Sequence, residues 1–394
     1  MKLLYLHHIA LDSQKANIVQ VLQMCHAFQQ ARIEVTLAVP QSRKGFTSHE
    51  IIRRELGIDA DFQIQEYKKH GWRNRPMLLG AYWGVASLLE KSQDYDYCFA
   101  RNSFLAELAI RQGLKTIYEE HDQKLHRRRL LNRWYMRRLL RIIHSENLVR
   151  MVVISRALAD VWQQRGVPSE KMLVLHDGFA AADYETVKTK SQARLELGIE
   201  LDKKIVMYVG SLYPDRGVEI IFKLAKTFPD RLFVIVGGPD ENKRCYESEA
   251  RTQGVENILF YGRVPHSKVK DCLFAADVLL MLWTNRTPTI SICSPLKVFE
   301  YMAAGRVIVG TGFPTIREVL TDGENALLAS PECFQELVSK LRQGLEMEYP
   351  NTVAENARCM AFEKYSWQIR VQTILDGLKR CCACAVQNEP CDDH

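Results

Sequence analysis

The chain has 394 residues, 47% hydrophobic and 25% charged, with a formal net charge of +6. That length exceeds what one hydrophobic core usually serves, so two domains are expected. The composition excludes disordered and collagen-like classes, and no apolar run approaches the roughly 18 residues of a membrane span.

The N-terminus, Met1-Lys-Leu-Leu-Tyr-Leu-His-His8, runs straight into an apolar strand without a signal-peptide cleavage pattern. A cytoplasmic location is the expectation that follows. Lys2–His8 reads as a strand, Lys15–Ala31 as a helix, and Ile33–Val39 as a β-branched strand ended by Pro40. Gln41–Arg54 is polar and basic and reads as a loop. A helix over Met77–Glu90, a strand at Tyr95–Ala100, a helix at Phe104–Arg111 and a strand at Lys115–Tyr118 follow. A basic helix, strand Met151–Ile154, helix Ser155–Arg165 and strand Met172–Leu175 complete the half.

Residues 181–200 are charged and weakly apolar, and read as a linker. The alternation then restarts with strand Lys204–Val209, helix Val218–Thr227 and strands at Leu232–Val236, Ile258–Tyr261, Asp277–Leu282 and Val307–Val309. Strands separated by helices imply parallel sheets covered on both faces. The expected architecture is α/β, with two Rossmann-like doubly wound domains facing across a cleft. Their expected bounds are 1–180 for the first and 201–365 for the second. A helix over 366–380 would pack back on the first domain, and 381–394 form a tail.

Ligands of such sheets bind at the carboxyl ends of the strands. No Gly-x-Gly-x-x-Gly follows the first strand, which argues against a nicotinamide dehydrogenase, and no Walker-type phosphate loop is present. Asp59-Ala-Asp61 and Asp94-Tyr-Asp96 precede strands instead of following them, so they read as turns and not as a metal–diphosphate site.

The most informative stretch is Ser294-Pro-Leu-Lys-Val-Phe-Glu-Tyr-Met-Ala-Ala-Gly305. Ser294 suits an N-cap, Pro295 the first helical position, and Gly305 the left-handed exit. Lys297 is the odd member, because a cation in the first turn opposes the helix dipole unless an anion lies in front of it. The alternatives are a Lys pointing into water, or one paired with Glu300. A second anion site is read in Gly210-Ser-Leu-Tyr-Pro-Asp-Arg216-Gly217, a glycine-punctuated strand-to-helix turn carrying Arg216. His121 closes a strand in Tyr118-Glu-Glu-His-Asp122. It either serves a site or is satisfied by Asp122.

Between Lys124 and Arg150 stand nine Lys or Arg and a single acid, Glu146. Apolar residues interleave with the arginines, as at Trp134 and Leu139. This fits a surface touching anionic lipid or an anionic acceptor, or an ordinary packed helix with a solvated basic face. Aromatic residues do not form a stacking platform, so nucleic acid is not expected. The cysteines are scattered singly inside apolar segments, except for Cys381, Cys382, Cys384 and Cys391 of the tail. The tail spacing fits no zinc template, and no metal is expected.

With these residues in hand, the chain resembles the GT-B glycosyltransferases of the retaining family 4. The resemblance is carried by Tyr208-Val-Gly-Ser-Leu-Tyr-Pro-Asp-Arg-Gly217, Phe233-Val-Ile-Val-Gly-Gly238, Phe260-Tyr-Gly-Arg-Val264 and the Ser294–Gly305 stretch. Ile316-Arg-Glu-Val-Leu-Thr-Asp-Gly-Glu-Asn325 and Tyr365-Ser-Trp367 continue it. In the first half, Glu119-Glu-His-Asp122, Val153-Ile-Ser155 and His176-Asp-Gly178 resemble its landmarks.

The resemblance implies a nucleotide-sugar donor as substrate, with neither a cofactor nor a metal. Arg216 and Lys297 would act on the diphosphate, assisted by the Ser211 loop, Ser294 and the amides around Leu296. Glu300 would accept from the ribose hydroxyls, the backbone at Arg263 and Val264 would lie beside the base, and His121 would contact the transferred sugar. Arg216, Lys297 and His121 are thus the implied catalytic set.

Two departures stand out. The Glu that the family commonly has eight positions before its second Glu is here Ile292, and a usual basic residue is replaced by Ser211. The expected activity is retaining transfer of a sugar, such as a hexosyl group, to a glycan or lipid-linked acceptor in surface polysaccharide biosynthesis. Residues 124–150 would contact an anionic membrane face, making the protein cytoplasmic or peripheral. A non-catalytic nucleotide-sugar-binding scaffold and a sugar-nucleotide epimerase of the same fold are the other readings.

Overall fold

The computed structural model describes residues 1–12, 16–42, 48–57, 61–68, 85–86, 88–89, 92–122 and 129–387. Side chains at 16, 92, 129–132 and 380–387 are not among those described. Most of the expected helix Met77–Glu90, the start of the basic stretch and the tail cysteine side chains lie outside this set. The chain divides into two units, one of Met1–Asp177 with Trp367–His394 and one of Gly178–Ser366.

The first unit is built on seven strands: β1 (Lys2–Leu6), β2 (Glu34–Pro40), β3 (Gln63–Tyr67), β4 (Tyr97–Ala100), β5 (Lys115–Glu120), β6 (Leu148–Val153) and β7 (Met172–Val174). They are parallel, in the order β3-β2-β1-β4-β5-β6-β7. The second unit carries β8 (Ile205–Val209), β9 (Leu232–Val236), β10 (Ile258–Gly262), β11 (Val278–Met281), β12 (Val307–Thr311) and β13 (Leu327–Ala329). Its order is β10-β9-β8-β11-β12-β13, again parallel throughout. Both are doubly wound sheets, as the alternation of elements predicts. The order reverses beside β1 and beside β8, the topological switch points at which such sheets bind ligands.

Burial explains why these segments are strands. All five residues of β8 and all five of β12 are buried, as expected for central strands covered by helices on both faces. The core of the second unit lies on both sides of this sheet. Met207, Leu279 and Phe299 are buried on one side, and Val206, Leu280 and Phe222 on the other. Each such side chain contributes roughly 1.5–3 kcal/mol by leaving water.

Two differences from expectation bear on how the units are built. Residues 181–200 are not a bare linker, since Lys190–Leu197 is a helix of the second unit with a Thr189 capping box. Its Arg194 is buried and binds Ala275 O at 2.9 Å and Asp277 at 2.5 Å. The charge that made the segment look solvated therefore tethers it to the starts of β8 and β11. The second difference falls in Gln41–Arg54, where helix Ser48–Leu56 begins and buries Ile51, Ile52 and Leu56. Two adjacent isoleucines and a leucine four residues on supply its apolar face despite the charges between them.

The last helix, Trp367–Gln387, is grouped with the first unit. Its Gln368 donates to Gln30 of helix Ala16–Gln30 at 2.8 Å.

Candidate functional site

Helix Leu296–Ala303 starts one residue later than its sequence implies. Pro295 occupies the cap position in extended backbone (φ −78°, ψ 123°) and makes no side-chain cap hydrogen bond. Ser294, expected as the cap, is buried just ahead of the helix. Val298 N already donates to Pro295 O at 3.0 Å, so the amides of Leu296 and Lys297 are the ones that could serve an anion at this helix start. Gly305 takes the left-handed conformation, φ +62°, as read from the sequence. The helix is fastened to β8 by the Tyr301 hydroxyl, which accepts from Val209 N at 2.8 Å and donates to Val209 O at 3.0 Å.

Lys297 neither points into water nor pairs with Glu300. Its ammonium stands 4.3 Å from the centroid of the Tyr208 ring, the outermost aromatic of β8. A Cβ on Gly210 would come 3.5 Å from the same nitrogen, so the glycine leaves the space the ammonium uses. Burial pushes the Lys297 pKa down to about 7, and the neighbouring Arg216 pushes in the same direction. Among the described residues Lys297 has no ion pair and no hydrogen bond.

Arg216 lies on the turn after β8 with its guanidinium carbon 4.8 Å from the Trp283 ring centroid. Its Nε is buried without a hydrogen-bond partner among the described residues, and Asp215 approaches only to 3.9 Å. That turn is held by its neighbours. The Tyr208 hydroxyl donates to Ser211 O at 3.0 Å, and Thr284 and Thr287 donate to Asp215 O at 3.2 and 2.7 Å. Two cations thus share one region, and among the described residues the only carboxylate paired with either is Asp215, 3.9 Å from Arg216 Nε.

The turns after β8, β9 and β10 nest through glycines. Gly210 N donates to Val236 O at 2.9 Å, and Gly237 N to Gly262 O at 2.8 Å. Gly237 has φ +116°, and a Cβ there would lie 2.2 Å from Gly210 O. Only glycine permits this approach.

Glu300, one turn beyond Lys297, is buried and paired with His266, whose Nε2 lies 2.6 Å from Oε1. His266 opens a short 3₁₀ turn just after Arg263 and Val264, so this pair ties the expected base-side loop to the expected ribose-side carboxylate. Arg263 is exposed and Val264 half-buried. Ile292 is 1% exposed, so its side chain belongs to the core.

His121 belongs to the first unit, at the end of β5, and Asp122 is not its partner. Its Nε2 contacts Glu119 Oε1, and Arg101 Nη2 reaches Nδ1 at 3.1 Å. Arg101 Nε also lies 2.8 Å from Nε2, so Nε2–H can donate to Glu119 only if that guanidinium contact goes unaccepted, and one neutral tautomer does not serve all three contacts. Burial and the Arg101 charge lower the His121 pKa to about 4, keeping the imidazole neutral near pH 7.

Behind it, Glu119 is fully buried and accepts from Arg370 at 2.8 Å and from Gln20 at 3.0 Å. Burial opposes its charge, but Arg370, His121 and Arg101 together hold the carboxyl well below the usual range. Gln20 also donates to Asp177 at 2.7 Å, and burial raises the Asp177 pKa to about 7. Arg370 further binds His176 O at 2.8 Å and Leu175 O at 3.1 Å.

The structure therefore gathers Ser211, Arg216, Leu296 and Lys297 in one region of the second unit, with Glu300, Arg263 and Val264 linked through His266. Sequence reasoning did not pick out Tyr208, Trp283, His266, Arg101, Gln20 or Arg370. Each reaches its partner from another element, so no local pattern marks it.

The basic segment forms helix Arg129–Ile143. It buries Tyr135, Arg138, Leu139, Ile142 and Ile143, and exposes Arg133, Trp134, Arg137 and Arg141. Among the described residues no helix is long and apolar enough to cross a membrane. Nor do three or more His, Cys, Asp or Glu side chains group as a metal site among them.

Comparison with known proteins bears on the family and the fold. The model for "Glycosyltransferase Family 4" matches residues 19–182, and that for "Glycosyl transferases group 1" matches 189–360. A lipopolysaccharide 1,2-N-acetylglucosaminetransferase of Salmonella typhimurium strain LT2 is 23% identical over 247 residues, covering 59% of this chain and 63% of that enzyme. The match thus spans less than two thirds of that relative's length.

Among solved structures, a sucrose-phosphate synthase from Thermosynechococcus elongatus superposes with a TM-score of 0.76 at 15% identity, covering 97% of this chain and 99% of its own. Anabaena Alr3699/HepE in complex with UDP-glucose gives 0.72 at 17% identity, covering 96% and 100%. At such identities the likeness establishes the fold. Two family models that together span residues 19–182 and 189–360, on this fold, place the chain among the group 1 glycosyltransferases of the GT-B, family 4 kind.

Proposed function

We propose that the protein transfers a sugar from a nucleotide-sugar donor to a glycan or lipid-linked acceptor with retention of anomeric configuration, and without a metal. The observation that carries this reading is the Lys297–Arg216 pair, two neighbouring cations with, among the described residues, only the long 3.9 Å contact of Asp215 to Arg216 between them, at the start of helix Leu296–Ala303. Breaking the anomeric bond leaves negative charge on the departing diphosphate. Lys297, Arg216 and the amides at Leu296 would stabilise it there, with the Ser211 loop and Ser294 shaping the site.

Glu300 would hold the ribose, the Arg263–Val264 backbone would flank the base, and His121 would hydrogen-bond the sugar as a neutral imidazole. The acceptor hydroxyl attacks on the face the diphosphate leaves, and the leaving phosphate takes its proton. That Anabaena HepE has been seen with UDP-glucose, and that the Salmonella relative is a lipopolysaccharide enzyme, favours a nucleotide-sugar donor and a cell-surface acceptor. The exposed face Arg133, Trp134, Arg137 and Arg141 would meet an anionic membrane at its cytoplasmic side.

The test is release of nucleoside diphosphate from UDP- and GDP-sugars with a mixed lipid-linked acceptor extract. Product anomers would be assigned by NMR, with assays run with and without chelator. Buried Ile292, where the family commonly has a carboxylate, favours one competing reading, a nucleotide-sugar-binding protein without turnover. Tight donor binding with no release of diphosphate would select it.

A further inference from the structure

The His266–Glu300 pair adds something the family reading lacks. Both side chains are largely buried, at 22% and 11% exposure, and their 2.6 Å separation is that of a charge-assisted hydrogen bond. A glutamate carboxylate otherwise rotates through a broad, roughly two-fold torsion. A short bond from a ring on a different element removes that freedom.

His266 stands on the turn that follows β10, and Glu300 on the helix that follows β11, so the pair clamps two loops of the site as well as one carboxylate. The phenols of Tyr184 and Tyr301 also feel the Glu300 charge, and burial keeps both protonated, so neither competes for it as an anion.

We propose that His266 is a positioning residue for ribose recognition. It occupies Glu300 Oε1 and leaves Oε2 presented to a single ribose hydroxyl. Glu300 then reads one hydroxyl, and does not fork across two. This rests on the donor reading above, with Glu300 as the ribose acceptor. A pre-oriented acceptor discriminates well, because a deoxy ligand leaves it buried without a donor, whereas a mobile carboxylate turns to the remaining hydroxyl.

The experiment is calorimetry on the full chain with UDP, GDP and ADP, then with the 2′-deoxy and 3′-deoxy forms of whichever binds. For the wild type, one deoxy isomer is expected to bind about tenfold weaker and the other within about threefold of the parent. His266→Ala should weaken the parent nucleotide and make the two deoxy losses equal. His266→Gln, whose amide can donate to the same oxygen, should restore most of the asymmetry. Melting curves of all three proteins show whether each is folded, and the Gln variant decides if the Ala variant is not.

Equal losses in the wild type, or unchanged asymmetry in a folded His266→Ala, would overturn the positioning role while leaving the donor reading intact. Failure of every nucleotide to bind the wild type would overturn both.

Discussion

Lys297 and Tyr208 form a cation–π contact in which the aromatic face is the ammonium's main partner, 4.3 Å away. A ring face stabilises a cation by about 0.5–2 kcal/mol, less than a buried carboxylate does, so the charge is held without being neutralised. That is what a phosphate-binding lysine needs. Its field stays available to a ligand.

Replacing Lys297 by Ala removes one of the two cations proposed to face the leaving group. Turnover with a nucleotide sugar should fall by about 10²–10³, the scale seen when one charge-stabilising donor is deleted. Steady-state diphosphate release checks this. Activity within about twofold of wild type would remove Lys297 from the phosphate role.

The lowered pKa of Lys297 gives that interaction a pH signature. The ammonium is protonated below about pH 7 and loses its proton above it in the free protein. Nucleoside diphosphate affinity should therefore decline as pH rises from 7 toward 9, because binding must return the proton. Apo stability should move the other way. The unfolded chain keeps this proton up to about pH 10.4, so between pH 7 and 10 it binds more protons than the native state, and this site's contribution to stability rises with pH. Lys297→Arg should flatten both curves, as titration calorimetry and thermal melts across pH would show.

His121 is expected to stay neutral from pH 5 to 8, giving an imidazole carbon shift that does not move in that range. After burial, the nearby Arg101 charge is the next cause of its low pKa. Arg101→Met should therefore lift the His121 titration toward 6.5 and into the observable window. A wild-type His121 that titrates near 6.5 would contradict the neutral assignment.

Arg370 and Asp177 make opposite predictions from one cluster. Arg370→Ala leaves Glu119 buried without its strongest counter-charge and should cost about 3–5 kcal/mol in urea unfolding. Asp177, whose carboxyl is raised to about 7, destabilises the native state as pH climbs from 4 to 7, since folding then favours a proton the unfolded chain has released. Asp177→Asn should thus be close to neutral at about pH 4 and raise the melting temperature at pH 8.

How much of this was legible beforehand depended on distance along the chain. The doubly wound architecture and the Ser294–Gly305 helix came through because caps, glycines and periodicity are local signals. The His266–Glu300 pair spans 34 positions and the Arg370–Glu119 pair 251, and nothing at either end announces the other. Residues 181–200 misled for a different reason. Lys190 and Arg194 look like solvated linker charges, yet Asp277, far off in sequence, draws both inward. Ser294 misled by one residue, because Pro295 closes the helix start in extended backbone and leaves the serine buried ahead of it.

The placement of Arg370 also bears on synthesis. A nascent chain that has emerged through residue 177 has all seven strands of its first sheet, with Glu119 and Arg101 among them, but not Arg370, the stronger of the two arginines on this carboxylate. The second unit is translated before that arginine appears. The earliest sheet to leave the ribosome is therefore the last to be electrostatically complete, and for nearly two hundred residues its buried acid has Arg101 beside it but not the stronger counter-charge of Arg370.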